Sequence, residues 1–314
     1  MQVRLHLFDN AGKPIEYYSE GSGEPILLCH GFPELWYSWR NQIKPLVSAG
    51  FRVIIPNMRG YGNSYAPAEP GEYEFEKICA DMISLLDHLR IDKVTRIGHD
   101  WGGAIVWALA FHHTERIKRL CSLNTPYAPY TRLNPAEMLK RRPGKYAYQL
   151  YFQEIGEPEK ELERDLSKTF NAVFRTCSDK SENNMMYHTE KALTNRSFIG
   201  SREIPPSDLL SPEEITVYVD AYRKTGFRGP LNWYRNMEAN WKWSEKVAEK
   251  KIDLPCLMIT AEEDPVLTPK VAQGLEKYAP KVQYHNILQC GHWTQQEKPD
   301  EVNEKLLAWL KETQ

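Results

Sequence analysis

No apolar run in this 314-residue chain approaches the roughly 18 residues of a membrane span. The first ten residues, MQVRLHLFDN, lack the apolar stretch of a secretory leader, and the last four, KETQ, are no Ser-Lys-Leu-type peroxisomal address. Charge of one sign is also missing. Forty Lys and Arg against 42 Asp and Glu leave a net charge of −2, which argues against nucleic acid or a membrane surface as a general partner. Six cysteines, at 29, 79, 121, 177, 256 and 290, form no Cys-x-x-Cys pair. In a long chain without a leader they read as reduced thiols, which points to the cytoplasm. The sequon at Asn195 is then idle. No internal repeat or low-complexity segment is visible. One basic cluster, Lys140-Arg-Arg142 with Lys145, reads as a solvated helix end.

What is present is ordinary globular material, 41% hydrophobic and 26% charged, enough for one large domain or two modest ones. Residues 3–8 and 14–18 alternate around Asn10-Ala-Gly12, a hairpin signal. Apolar strands follow at 25–29, 51–55, 94–97 and 117–123. Helical periodicity lies between them at 36–47, 75–89 and 104–111. Strands alternating with helices predict an α/β fold, a mainly parallel sheet covered on both faces. The rhythm breaks from about 127 to 246, where the patterns are helical. It returns with strands at 254–260 and 282–287 and helices near 271–278 and 299–310. The expected organisation is a core of residues 1–127 and 247–314 with a helical cap of 128–246 inserted after the sixth strand.

Between the strand at 94–97 and the helix at 104–111 stands GHDWGG, residues 98–103. A small-x-acid-x-small turn there has the form of the bend that holds a nucleophilic Ser in other enzymes, with Asp100 in its place. Read alone, Asp100 is equally a helix N-cap. Two later residues favour the nucleophile. Asp264 ends the strand at 254–260, with Glu262 and Glu263 as nearby rivals, and His292 follows the last strand in CGHW. In open α/β sheets, sites form outside the carboxyl ends of strands. His30-Gly-Phe-Pro33 follows the first parallel strand, so the backbone N–H groups of Phe32 and Trp101 are candidates for an oxyanion hole. A carboxylate nucleophile displaces a leaving group at an sp³ carbon and forms an alkyl ester. Water activated by His292 then attacks the carboxyl carbon of Asp100, with Asp264 orienting the ring. That chemistry suits epoxides and haloalkanes. An epoxide also needs an acid for its oxygen, and 17 tyrosines leave that choice open.

The motifs HGFPELWYSWR (30–40), RGYGNS (59–64), GHDWGG (98–103), SLNTPY (122–127), YQLYFQE (148–154), GFRGPLNWYRNME (226–238), TAEEDPVL (260–267) and CGHWTQ (290–295) together resemble the α/β-hydrolase-fold soluble epoxide hydrolases. The chain is similar in particular to the hydrolase half of the vertebrate bifunctional enzymes. The resemblance implies Asp100 as nucleophile, Asp264 as charge-relay acid, His292 as base, and Tyr148 and Tyr234 as donors to the epoxide oxygen. It also implies a pocket lined by Pro33, Gln149, Pro265, Val266, Leu267 and Trp293. It implies no metal or organic cofactor, and small apolar epoxides, fatty-acid or aryl, with water as the reaction partners. Asn57 and Asn63 replace the family's frequent Asp, away from the chemistry. Pro265 stands where the vertebrate enzymes carry an aromatic. A haloalkane dehalogenase is the alternative with the same Asp nucleophile, and a ligand-binding pseudoenzyme the remoter one. The sequence leaves the oligomeric state open.

Overall fold

The structure, a computed structural model, describes residues 4–141 and 143–314. Val3 of the first expected strand and Arg142 of the basic cluster lie outside the described residues.

Among the described residues, eight strands form one sheet in the order β1-β2-β4-β3-β5-β6-β7-β8. β1 (His6–Asn10) and β2 (Lys13–Glu20) make the expected antiparallel hairpin. Its turn residues Ala11 and Gly12 both have positive φ, 51° and 81°. This two-residue geometry matches the strand twist. β2 also runs antiparallel to β4 (Phe51–Pro56). All remaining pairs are parallel: β3 (Glu24–Cys29), β5 (Val94–His99), β6 (Ile117–Leu123), β7 (Cys256–Ala261) and β8 (Val282–Ile287). β5 is buried along its whole length, as expected of a central parallel strand covered on both faces.

β3 pairs with β4 on one side and β5 on the other. The chain therefore leaves β3 in one direction and returns on its opposite flank. That reversal opens a crevice between the loops after β3 and β5, where α/β sheets bind ligands. Cys29 lies beside Gly98 in the register, so residues 30–33 and the bend at 98–103 meet there. Helix α1 (Arg40–Ser48), helix α2 (Phe75–His88) and helix α3 (Trp101–His112) pack against the sheet. α3 is apolar all round and buries Ile105, Val106, Trp107, Leu109 and Phe111. Its position behind β5 explains that composition.

Between β6 and β7 the described residues form helices and no strand, from Pro135–Arg141 to Met237–Ser244. This excursion is tied to the sheet loops. Trp233 Nε1 donates to the Arg59 carbonyl at 2.9 Å, and Trp293 Nε1 donates to the Val173 carbonyl at 2.9 Å. Its helix Pro212–Thr225 begins with Ser211 and Glu214 in a reciprocal capping box and Pro at the first turn.

One expected element differs. Residues 271–278 form two 3-10 turns, Pro269–Ala272 and Leu275–Lys277, in place of an α-helix. Gln273 is extended between them, and Gly274 takes φ 87°. A left-handed glycine ends a helical turn.

Candidate active site

The bend after β5 puts Asp100 at φ 52° and ψ −121°. A non-glycine residue there costs about 1–3 kcal/mol and is held only where its surroundings impose it. The imposition is steric. A Cβ on Gly102 would lie 2.1 Å from the Cys29 carbonyl oxygen, and one on Gly31 would lie 2.4 Å from Asp100 Oδ1. Only glycines let the two loops approach closely enough to aim the Asp100 side chain between them.

Phe32 N–H donates to Asp100 Oδ1 at 2.8 Å, and the Trp101 N–H adds to the electrostatic stabilisation of the carboxylate. The second oxygen, Oδ2, is 3.7 Å from His292 Nε2. His292 Nδ1 donates to Asp264 Oδ2 at 2.8 Å. Asp264 also accepts from Asn124 Nδ2 at 2.7 Å and from the Val266 and Leu267 N–H groups at 2.8 Å each. Of its two sequence neighbours, Glu262 accepts from the Gln289 N–H, and Glu263 lies 2.5 Å from Lys180 Nζ.

These contacts set the charges. Burial alone would raise the Asp264 carboxyl, but His292 and the hydrogen bonds converging on it outweigh that and hold it at about 2. Burial alone would favour neutral His292. Asp264 outweighs it, helped by Asp100 and Glu34, and lifts the ring to about 9. Asp100 is pushed above the usual carboxylate range by burial, against the pull of His292, His99 and the two amides. At neutral pH Asp264 is therefore ionised and His292 positively charged, both beside the Asp100 carboxyl.

Facing Asp100 stand Tyr148 and Tyr234, both buried, with ring centroids 5.8 Å apart. Burial, reinforced by nearby groups including Asp100, keeps both phenols protonated far above neutral pH. Gln149 Nε2 donates to Tyr148 Oη at 3.2 Å, which leaves the Tyr148 O–H free to donate elsewhere. Tyr234 packs edge-on against Trp101 at 5.0 Å and Phe32 at 5.2 Å.

Two cavities meet at this point and share Asp100, Tyr148, Tyr234 and Val266 as walls. One, of about 360 Å³, is also lined by Gln149 and Leu267. The other, of about 20 Å³, is also lined by Pro33, His292 and Trp293. Pro265 lines neither. The amides of Val266 and Leu267 turn back onto Asp264, and Pro265 sits half-buried at the start of that turn. Among the described residues no group of three His, Cys, Asp or Glu side chains is placed to hold a metal.

Sequence reasoning quoted Asn124, Glu34 and His99 inside motifs but assigned them nothing. Asn124 bridges Asp264 to Thr294, whose Oγ1 donates to Asn124 Oδ1 at 2.8 Å. Glu34, fully buried, accepts from Gly31 N–H, Gln295 Nε2 and His99 Nδ1, and His99 Nε2 contacts the His292 carbonyl at 2.7 Å. Their only sequence signal was membership of the motifs.

A family model described as the alpha/beta hydrolase fold matches residues 24–299. Bifunctional epoxide hydrolase 2 of Rattus norvegicus is 46% identical over 96% of this chain and 54% of its own length. The chain spans about half the length of the mammalian relatives it matches. Epoxide hydrolase A of Mycobacterium tuberculosis is 36% identical over 98% of this chain and 94% of that one. The crystal structure of Epoxide Hydrolase A from Mycobacterium thermoresistibile superposes with a TM-score of 0.87 at 33% identity, covering 99% of this chain and 98% of that one. Matches of that extent, by family model, by sequence and by shape, mean that this chain belongs to the α/β hydrolase fold family.

Proposed function

We propose that this chain is an epoxide hydrolase that turns an apolar epoxide and water into a vicinal diol through an ester on Asp100. One observation carries the reading. A carboxylate held by the Phe32 N–H faces two buried, protonated phenols across a single cavity.

Asp100 Oδ2, the oxygen not held by Phe32, attacks one oxirane carbon. The C–O bond of the ring breaks, and its oxygen takes a proton from Tyr148 or Tyr234. The ester's carbonyl oxygen is then Oδ1, already against the Phe32 N–H. When water attacks the carboxyl carbon, the oxyanion forms on Oδ1 where that donor waits. His292 takes the proton of that water and must be neutral to do so. Alkylation of Asp100 removes one of the negative charges that lift the ring, so the first step prepares the base for the second. Asp264, itself held by three other donors, fixes the ring's tautomer. The proton that His292 sheds before water attacks returns to the tyrosinate left by ring opening. Collapse of the tetrahedral intermediate then breaks the bond to the alcohol oxygen, which takes the proton of the newly added hydroxyl, so the diol leaves and the carboxylate is restored.

Halide displacement uses the same nucleophile but gains nothing from two phenols, so the ether oxygen is the better fit. We also propose the division into a core of residues 1–127 and 247–314 and a cap of 128–246. Residues from both segments lining one cavity support it. The six free, buried cysteines favour a reducing compartment, and we propose the cytoplasm.

The test offers an aryl epoxide and a haloalkane side by side and follows diol and halide. Diol alone is expected. A single turnover in heavy-oxygen water should put label into the peptide bearing Asp100 and leave the first diol unlabelled. Label in that diol would mean water attacks carbon directly and remove Asp100 as nucleophile.

A further inference from the structure

The two cavities that meet at Asp100 are very unequal, about 360 Å³ against about 20 Å³. The smaller has the space of about one water molecule. Beside the groups already described, its walls include Val173, Met186, Phe198 and Trp293. Three of these are fixed in place. Trp293 donates its indole N–H to the Val173 carbonyl at 2.9 Å, so turning the ring would strand a buried donor. Phe198 packs on Phe152 and Tyr148 with centroids 5.2 and 5.9 Å away. Met186, half-buried on the 3-10 turn Met185–Tyr187, is the one flexible wall. The larger cavity is walled by Phe75, Trp107, Phe111, Trp241 and Trp243 and suits a long or aromatic apolar group.

We propose that the site selects lopsided epoxides, with one bulky apolar substituent and only hydrogen or methyl on the other oxirane carbon. Mid-chain epoxides, which need two long arms, are its poor substrates. This rests on the epoxide-hydrolase reading above. Both oxirane carbons sit close to Asp100 and the two phenols, so whatever is attached to them must leave by the two cavities. A second alkyl arm entering the small one must push aside packed aromatic rings, and overpacking of that kind is strongly penalised.

The test uses two isomers of equal mass and polarity: a twelve-carbon terminal alkene oxide, and its isomer with the oxirane at mid-chain. The wild-type ratio of kcat/KM, terminal over mid-chain, should be about 100 or more. Met186→Ala should lower it about tenfold, and Phe198→Ala further if that variant folds. A wild-type ratio near one overturns the proposal. So does a high ratio that Met186→Ala leaves unmoved, because the selectivity then arises elsewhere. Failure to form diol from either isomer is a different result: it removes the epoxide-hydrolase reading itself.

Discussion

In the proposed mechanism His292 is charged in the resting site and must be neutral when water attacks. Its elevation to about 9 depends on its neighbours' charges, so the conflict resolves only if alkylation of Asp100 comes first. His292→Ala should therefore react once and stop. Intact mass spectrometry should find protein heavier by one substrate, with steady turnover down by at least about 10³-fold. A variant that never forms the adduct would show that His292 is also needed for ring opening. The same elevation has a stability consequence. A histidine raised in the folded state contributes stability that is complete below its unfolded value of 6.5 and is lost as pH rises toward 9. The wild-type melting temperature should fall over that window by about 2–4 °C more than that of His292→Gln. Parallel curves would mean that Asp264 does not hold an imidazolium. The phenols give a third outcome at this scale. Tyr148→Phe with Tyr234→Phe removes both O–H donors and should slow ring opening by at least about 10³-fold without unfolding the cap, read by diol release and far-ultraviolet circular dichroism.

At the scale of elements, the legible parts were those whose signal is local. A bend such as GHDWGG carries its own glycines, and β3 and β5 announce themselves as apolar runs, so Asp100 and the loop at 30–33 could be placed beside each other from the chain alone. Asn124 could not be assigned a role. Its partner Asp264 is 140 residues away, and the local text shows only Asn in a loop. His99, 193 residues from the carbonyl it holds, was hidden in the same way. The misread helix at 271–278 failed for the opposite reason: apolar spacing suggested a helix, and Gly274 broke it locally. Asn124 also sits at φ 64°, a backbone region that Asn and Gly tolerate. Asn124→Gly therefore keeps the bend and removes only the amide. Asp264 loses a donor, a loss of about 1–3 kcal/mol in a buried site. Ester hydrolysis in single-turnover experiments should slow about tenfold while ester formation keeps its rate. Equal slowing of both steps would make Asn124 a general structural residue.

Across the whole molecule, the proposed ring opening draws on both segments, whereas the proposed ester hydrolysis draws on the sheet loops alone. Asp100, Asp264 and His292 stand on loops of the sheet, whereas Tyr148 and Tyr234 stand on the helical excursion. The junction holding them in register is a backbone contact. A Cβ on Gly229 would lie 2.7 Å from Gly60 Cα and 2.8 Å from the Tyr73 hydroxyl. Gly229 is the second residue of the short helix Arg228–Asn232, and the next turn, Trp233–Asn236, carries Tyr234 and the indole that donates to Arg59. Gly229→Ala should push that turn away from the sheet and cost about 1–3 kcal/mol of stability. Its kinetic effect should be one-sided. A shift of about 1 Å at Tyr234 should slow ring opening up to about 100-fold. Ester hydrolysis depends on His292 and Asp264, which stand away from the junction, and should slow far less, although Tyr234 packs on Phe32 and Trp101. Stopped-flow tryptophan fluorescence, reporting on Trp101, which lines the cavity beside Asp100, separates the two phases. Gly229→Ala should slow the first phase and Asn124→Gly the second. If Gly229→Ala slows both alike, the excursion also shapes the hydrolytic half of the site, and the division between core and cap chemistry is wrong.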